Sequence, residues 1–151
     1  MTESRFVILV FFFLACICCD TSFEKHIHSE VAYQHAWSQL HNGKEEFQNS
    51  DNTRVDSLTN THAVEFDFAT KWAESIGQAL HYQLMTGKRG KVVLILENPP
   101  KEMKYYERVK RLSEIYDFDA EYVTPEILGI DNSGNCPFED CKCHKRISQQ
   151  E

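Results

Sequence analysis

Between residues 24 and 130 this 151-residue chain contains no cysteine. A fold built from that stretch does not depend on disulfides. The chain also lacks a glycine-rich loop of the kind that cradles phosphates, and a serine elbow of the kind that presents a nucleophile. No internal repeat and no low-complexity tract interrupts it. The histidines of the central stretch are His26, His28, His35, His41, His62 and His81. None forms the tight pair of a structural zinc motif, although His28 and His35 fall seven apart on one helical face. Positive charge is scarce: 16 Lys and Arg against 23 Asp and Glu leave a net charge of −7. That argues against a protein that coats nucleic acid nonspecifically. It is compatible with an enzyme that meets nucleic acid through a metal ion and a local basic face.

The excesses stand at the two ends. Phe6 to Cys19 is an unbroken run of Phe, Val, Ile, Leu, Ala and Cys between Arg5 and Asp20. It falls short of the roughly 20 residues needed to cross about 30 Å of hydrocarbon. It has no polar face, which a buried core helix would show. Residues 1–19 are therefore expected to be a signal peptide, making the chain exported: periplasmic, secreted, or held at a membrane through this segment only. Phe13-Leu14-Ala15-Cys16 loosely resembles a bacterial lipoprotein signal, in which the Cys becomes the lipidated first residue. Simple cleavage, a retained anchor and lipidation remain alternatives. At the other end, residues 131–151 form a tail with Cys136, Cys141 and Cys143. Those three offer a disulfide such as Cys136 to Cys143, a zinc site together with His144, or free thiols in a loosely ordered tail.

Residues 24–130 read as one α/β domain. Residues 24–41 have a helical stripe in Ile27, Val31, Tyr33, Gln34, Trp37 and Leu40, stopped by Asn42-Gly43. Glu46-Phe47-Gln48, Thr53 to Leu58 and His62 to Phe68 are separated by turn residues and predict a three-stranded antiparallel meander. Thr70 is placed to cap a helix from Lys71 to Met85, ended by Gly87, with Trp72, Ile76, Ala79, Leu80 and Leu84 buried. Lys91 to Glu97 contains Val-Val-Leu-Ile-Leu, a strand apolar on both sides. Pro99-Pro100 breaks it. Lys101 to Tyr116 predicts a third helix, and Asp119 to Val123 a last strand. The order α-β-β-β-α-β-α-β implies a mixed sheet with helices on both faces.

Acidic residues gather in the meander. Glu65 and Asp67 are two apart, so their side chains leave one face of the third segment. If the second and third strands pair, Asp56 joins them, and Glu30 on the first helix could complete the set. Converged carboxylates suit Mg²⁺ or Mn²⁺, which can activate water and stabilise charge developing on phosphorus. Acids on a solvated strand face are the plain alternative. Gln78 and Tyr82 share one helix face and are either a site buttress or a packed Tyr beside a half-exposed Gln.

The sequence order Glu30, Arg54-Val55-Asp56, Val64-Glu65-Phe66-Asp67 and Gln78-Ala79-Leu80-His81-Tyr82 resembles the core of the PD-(D/E)XK nuclease superfamily. That resemblance implies a restriction-endonuclease-like fold over roughly residues 28–123. It also implies metal ligands at Glu30, Asp56 and Glu65. Gln78 and Tyr82 match the Gln-x-x-x-Tyr motif of its RecB-like branch, where they would contact substrate or buttress the site. Asp51 to Gly87 also looks like a group of small bacterial proteins sharing Thr-Arg-Val-Asp, Glu-Phe-Asp-Phe-Ala and Lys-Trp-Ala-Glu. One departure stands out: the superfamily's Lys position falls on Asp67. Asp67 would then be a further ligand or base, or Lys71 would return its ammonium to the site.

The third helix is basic through Lys101, Lys104, Arg108, Lys110 and Arg111, offset by Glu102 and Glu107. It is either a phosphate-facing side or a solvated face. Two functions follow as expectations. One is an exported Mg²⁺-dependent nuclease acting on DNA or RNA, with Asp56, Glu65, Asp67 and Lys71 at its catalytic centre. The other is a catalytically silent binding or scaffold module on the same fold.

Overall fold

The structure is a computed structural model that describes residues 26–130 and Phe138. The expected signal peptide and Cys136, Cys141 and Cys143 lie outside the described residues. The elements are α1 (Glu30–His41), β1 (Lys44–Gln48), β2 (Arg54–Leu58), β3 (His62–Phe68), a 3₁₀ turn (Ala69–Lys71), α2 (Trp72–Thr86), β4 (Arg89–Ile95), α3 (Pro99–Ser113), β5 (Phe118–Val123) and α4 (Pro125–Leu128). The strands form one five-stranded mixed sheet in the order β1-β2-β3-β4-β5. β1, β2 and β3 are antiparallel neighbours, while β3, β4 and β5 run parallel.

The core follows from strand alternation. On β4, Val93 and Ile95 face one way and pack with Tyr33 and Trp37 of α1, Val64 and Phe66 of β3, and Leu128 of α4. Val92 and Leu94 face the other way and pack with Ala79 of α2 and Val109 of α3. Helices therefore cover both faces. This is why β4 carries apolar residues at consecutive positions. Trp37 is 2% exposed. Its indole Nε1 donates to Glu121 at 2.8 Å, and its ring meets Phe66 edge-on.

The segment before α1 is tied to the far end of β4. Glu97 accepts hydrogen bonds from the backbone N–H groups of Ile27 and His28 at 2.8 and 3.2 Å and from the Tyr33 hydroxyl at 2.7 Å. His26 Nδ1 lies 3.0 Å from the other Glu97 oxygen, and its ring stacks on Phe68.

Several expectations need correction. The first helix starts at Glu30 rather than residue 24, because residues 26–28 are drawn to Glu97. Leu40 and Leu84 are 64% and 79% exposed rather than buried. Thr70 does not cap α2. It lies inside the 3₁₀ turn, and Lys71 takes the cap position without a side-chain bond. Pro99 and Pro100 open α3 instead of standing outside it, as suits residues whose missing N–H is unneeded in a first turn. The sequence reading had no α4, which Thr124 caps by accepting from Ile127 N–H. Gly87 ends α2 as expected, with φ at 66°. No helix among the described residues is long and apolar enough to cross a membrane.

Candidate functional site

The site grows from a break in the sheet. β2 and β3 are paired only at Ser57–Val64 and Leu58–Ala63, after which the strands separate. Separation leaves backbone groups without ladder partners, and buried groups of that kind are costly. Two side chains supply the partners. Asp56 Oδ2 accepts from Phe66 N–H at 2.8 Å. Gln34 of α1 donates from Nε2 to the Asp56 carbonyl oxygen at 2.6 Å. On the outer side, Glu46 of β1 lies between the pairs Glu45–Ser57 and Phe47–Val55 with φ at 52°, so β1 bends beside Asp56.

The gap is a pocket of about 390 Å³ lined by Glu30, Thr53, Arg54, Asp56, Glu65, Phe66, Asp67, Lys71, Glu74, Gln78 and Tyr82. Every residue expected at the site from the sequence is on this wall. Glu65 and Asp67 share the α2-facing side of β3 and are 5% and 3% exposed, so the reading of a solvated acidic face does not hold for them. Lys71 reaches back from the 3₁₀ turn, with Nζ 3.4 Å from Asp67 Oδ1. Tyr82 is buried, and its hydroxyl donates to Gln78 Oε1 at 3.3 Å. α2 can lie this close because Gly90 has no side chain: a Cβ there would stand 2.7 Å from the Ala79 carbonyl oxygen. Thr53, Arg54, Phe66 and Glu74 also line the pocket without having been singled out. Arg54 stands two residues before Asp56 and Glu74 three after Lys71, and that spacing was the available signal.

Five carboxyl side chains against two cations make the pocket strongly acidic. Burial raises the Glu65 carboxyl far above its ordinary range, and the neighbouring Asp56 charge and a hydrogen bond with Asp56 add to this. Burial therefore favours the protonated form of Glu65. Burial also raises Asp56 to about 6, opposed by hydrogen bonds from Phe66 N–H and Glu65. Asp67 is pushed up to about 6 by burial, against the pull of Lys71. Lys71 is raised in turn, chiefly by the Asp67 charge.

The donor set suits a hard divalent cation in its chemistry, since oxygen ligands are what Mg²⁺ and Mn²⁺ take. Asp56 commits Oδ2 to the backbone, and Asp67 commits Oδ1 to Lys71 and to Phe68 N–H. Glu65 Oε2 is buried and has no hydrogen-bond partner. A buried carboxyl oxygen in that condition is expensive unless something binds it. Among the described residues, however, no three His, Cys, Asp or Glu side chains are already drawn together as a metal cage. The wall fits a cation in composition. The same finding covers His28 and His35, the latter bonding Glu45 at 2.8 Å.

Comparison of the chain with family models, with curated proteins and with solved structures finds no match.

Proposed function

We propose that the domain is an exported, Mg²⁺- or Mn²⁺-dependent phosphodiesterase of restriction-endonuclease-like fold, cleaving DNA or RNA at the pocket between β2 and β3. The observation that carries this reading is the buried, unpartnered Glu65 Oε2 within a wall that also holds Asp56, Asp67 and Lys71. Asp56 and Glu65, with Glu30 at the rim, would hold the cation. When bound, it would supply Lewis acidity toward a phosphoryl oxygen and a more acidic water. Glu65 must give up its proton to serve as a ligand. Lys71 brings a positive charge to the pocket where a phosphate would carry a negative one. Asp67 fixes that ammonium, and its raised pKa also suits it to accept a proton from water near neutral pH. Gln78 and Tyr82 buttress the α2 side.

A silent binding module is the second reading, favoured by the absence of a preassembled cage among the described residues and by Asp67 at the position where the superfamily has Lys. Cleavage of DNA and RNA with Mg²⁺ or Mn²⁺, wild type against Asp56→Ala, separates the two. Product from the wild type alone supports the phosphodiesterase. Equal traces sink it, as does calorimetry showing no uptake of either cation.

A further inference from the structure

Among the described residues some cations pair with carboxylates, while others, on β1, before β4 and on α3, do not. Arg54, Lys71, Arg89 and Lys91 each pair with a carboxylate. Lys101, Lys104, Arg108 and Arg111 of α3 are all exposed, and none pairs with a carboxylate among the described residues. Their spacing of three, four and three puts them on one stripe of the helix, about 15 Å long. Glu107 lies three residues from Lys104 and four from Arg111, and Glu114 three from Arg111, so the two acids border the stripe on one flank.

Aromatic rings accompany this stripe. The Arg108 guanidinium lies 5.4 Å from the Trp72 ring centre and 5.3 Å from that of Tyr105. Lys104 Nζ lies 4.9 Å from the Tyr105 ring centre. Trp72 directly follows Lys71, which lines the acidic pocket, and α3 packs against the turn that carries Lys71.

We infer that this stripe is a docking track for single-stranded nucleic acid leading to the pocket. The direction toward the pocket rests on the phosphodiesterase reading; the binding itself does not. Unpaired cations take phosphates, and half-buried rings beside them take unpaired bases. A single convex helix edge follows one backbone. It has no second row of cations for the other strand of a duplex. Four exposed cations on one helix let a chain of net charge −7 bind a polyanion locally.

The test uses the full chain in EDTA, so that binding is read without cleavage. A fluorescein-labelled oligothymidylate of about 15 nucleotides is titrated by anisotropy at several salt concentrations. Binding is expected to be tighter than to a duplex of equal length. The paired substitution Lys104→Glu with Arg108→Glu should weaken it and lower the salt slope by about 1.4, two contacts at roughly 0.7 each. Lys101→Glu with Arg111→Glu touches neither ring and should lower the slope similarly, which guards against misfolding of the first variant. Tyr105→Ala should weaken binding roughly tenfold through lost stacking. Unchanged affinity in both charge variants overturns the inference. So does equal or tighter binding of the duplex, or equal capture by phosphatidylglycerol vesicles. Oligonucleotide binding without any cleavage on adding Mn²⁺ would sink the phosphodiesterase reading and leave the track standing.

Discussion

The two halves of the sheet obey different rules. β3 and β4 pair without interruption from His62–Arg89 to Phe68–Ile95, and β4 and β5 from Gly90–Phe118 to Ile95–Val123. Val92 to Ile95 of β4 are buried there on both faces of the sheet, and the backbone satisfies itself. β2 and β3 pair at two positions and then part, and side chains from α1 and β2 finish the hydrogen bonding. The regular half supplies cohesion. The irregular half places three acids where burial makes each of them hard to ionise. A fold can carry such a site because the costs are met at a distance from it.

The sharpest way to separate the halves is to damage one and read the other. Trp37→Ala in the regular core should cost about 3–5 kcal/mol of stability by urea unfolding. Activity per folded molecule should be retained. Asp56→Ala should do the reverse to function, lowering phosphodiester cleavage at least about 100-fold. An Asp56→Ala protein as active as wild type would remove this half's claim to be a site. Gln34→Ala leaves the Asp56 carbonyl oxygen without its partner and should cost roughly 1–3 kcal/mol, seen as a lower urea midpoint. An unchanged midpoint would mean that water replaces the side chain there.

The smallest effect is the dependence of stability on pH. The Asp67 carboxyl titrates near 6 when folded instead of near 3.8, so its protonated form favours the folded state. That contribution is fully present below about pH 4 and is lost as pH rises through about 6. In EDTA, Asp67→Asn should flatten the fall in melting temperature between those values. A profile identical to wild type would show that Asp67 is not held as described.

The parallel half was the easier half to read. Val92 to Leu96 has one plausible environment, a strand covered on both faces, and the helices that cover it are amphipathic in the usual period. The acids could be put in order along the chain because strand alternation assigns Glu65 and Asp67 to one side. The separation of β2 from β3 was not readable. It depends on Gln34, a residue of another element, reaching a backbone oxygen, and no local pattern encodes that reach. Leu40 and Leu84 show a similar limit, because an apolar residue at helical spacing need not lie on the covered face. The pairing of Lys71 with Asp67 was legible as an i, i+4 relation, but the burial that makes it matter came only with the packed sheet.

Glu97 gives the domain a timetable. Its bonds to residues 26–28 span 69 to 71 positions of sequence. Contacts of that range form late, after the chain between them has been gathered. During synthesis or passage through a narrow channel, the segment ahead of α1 therefore emerges long before its fastening exists. It stays extended and open to a peptidase until β4 is in place, and afterwards its backbone is held.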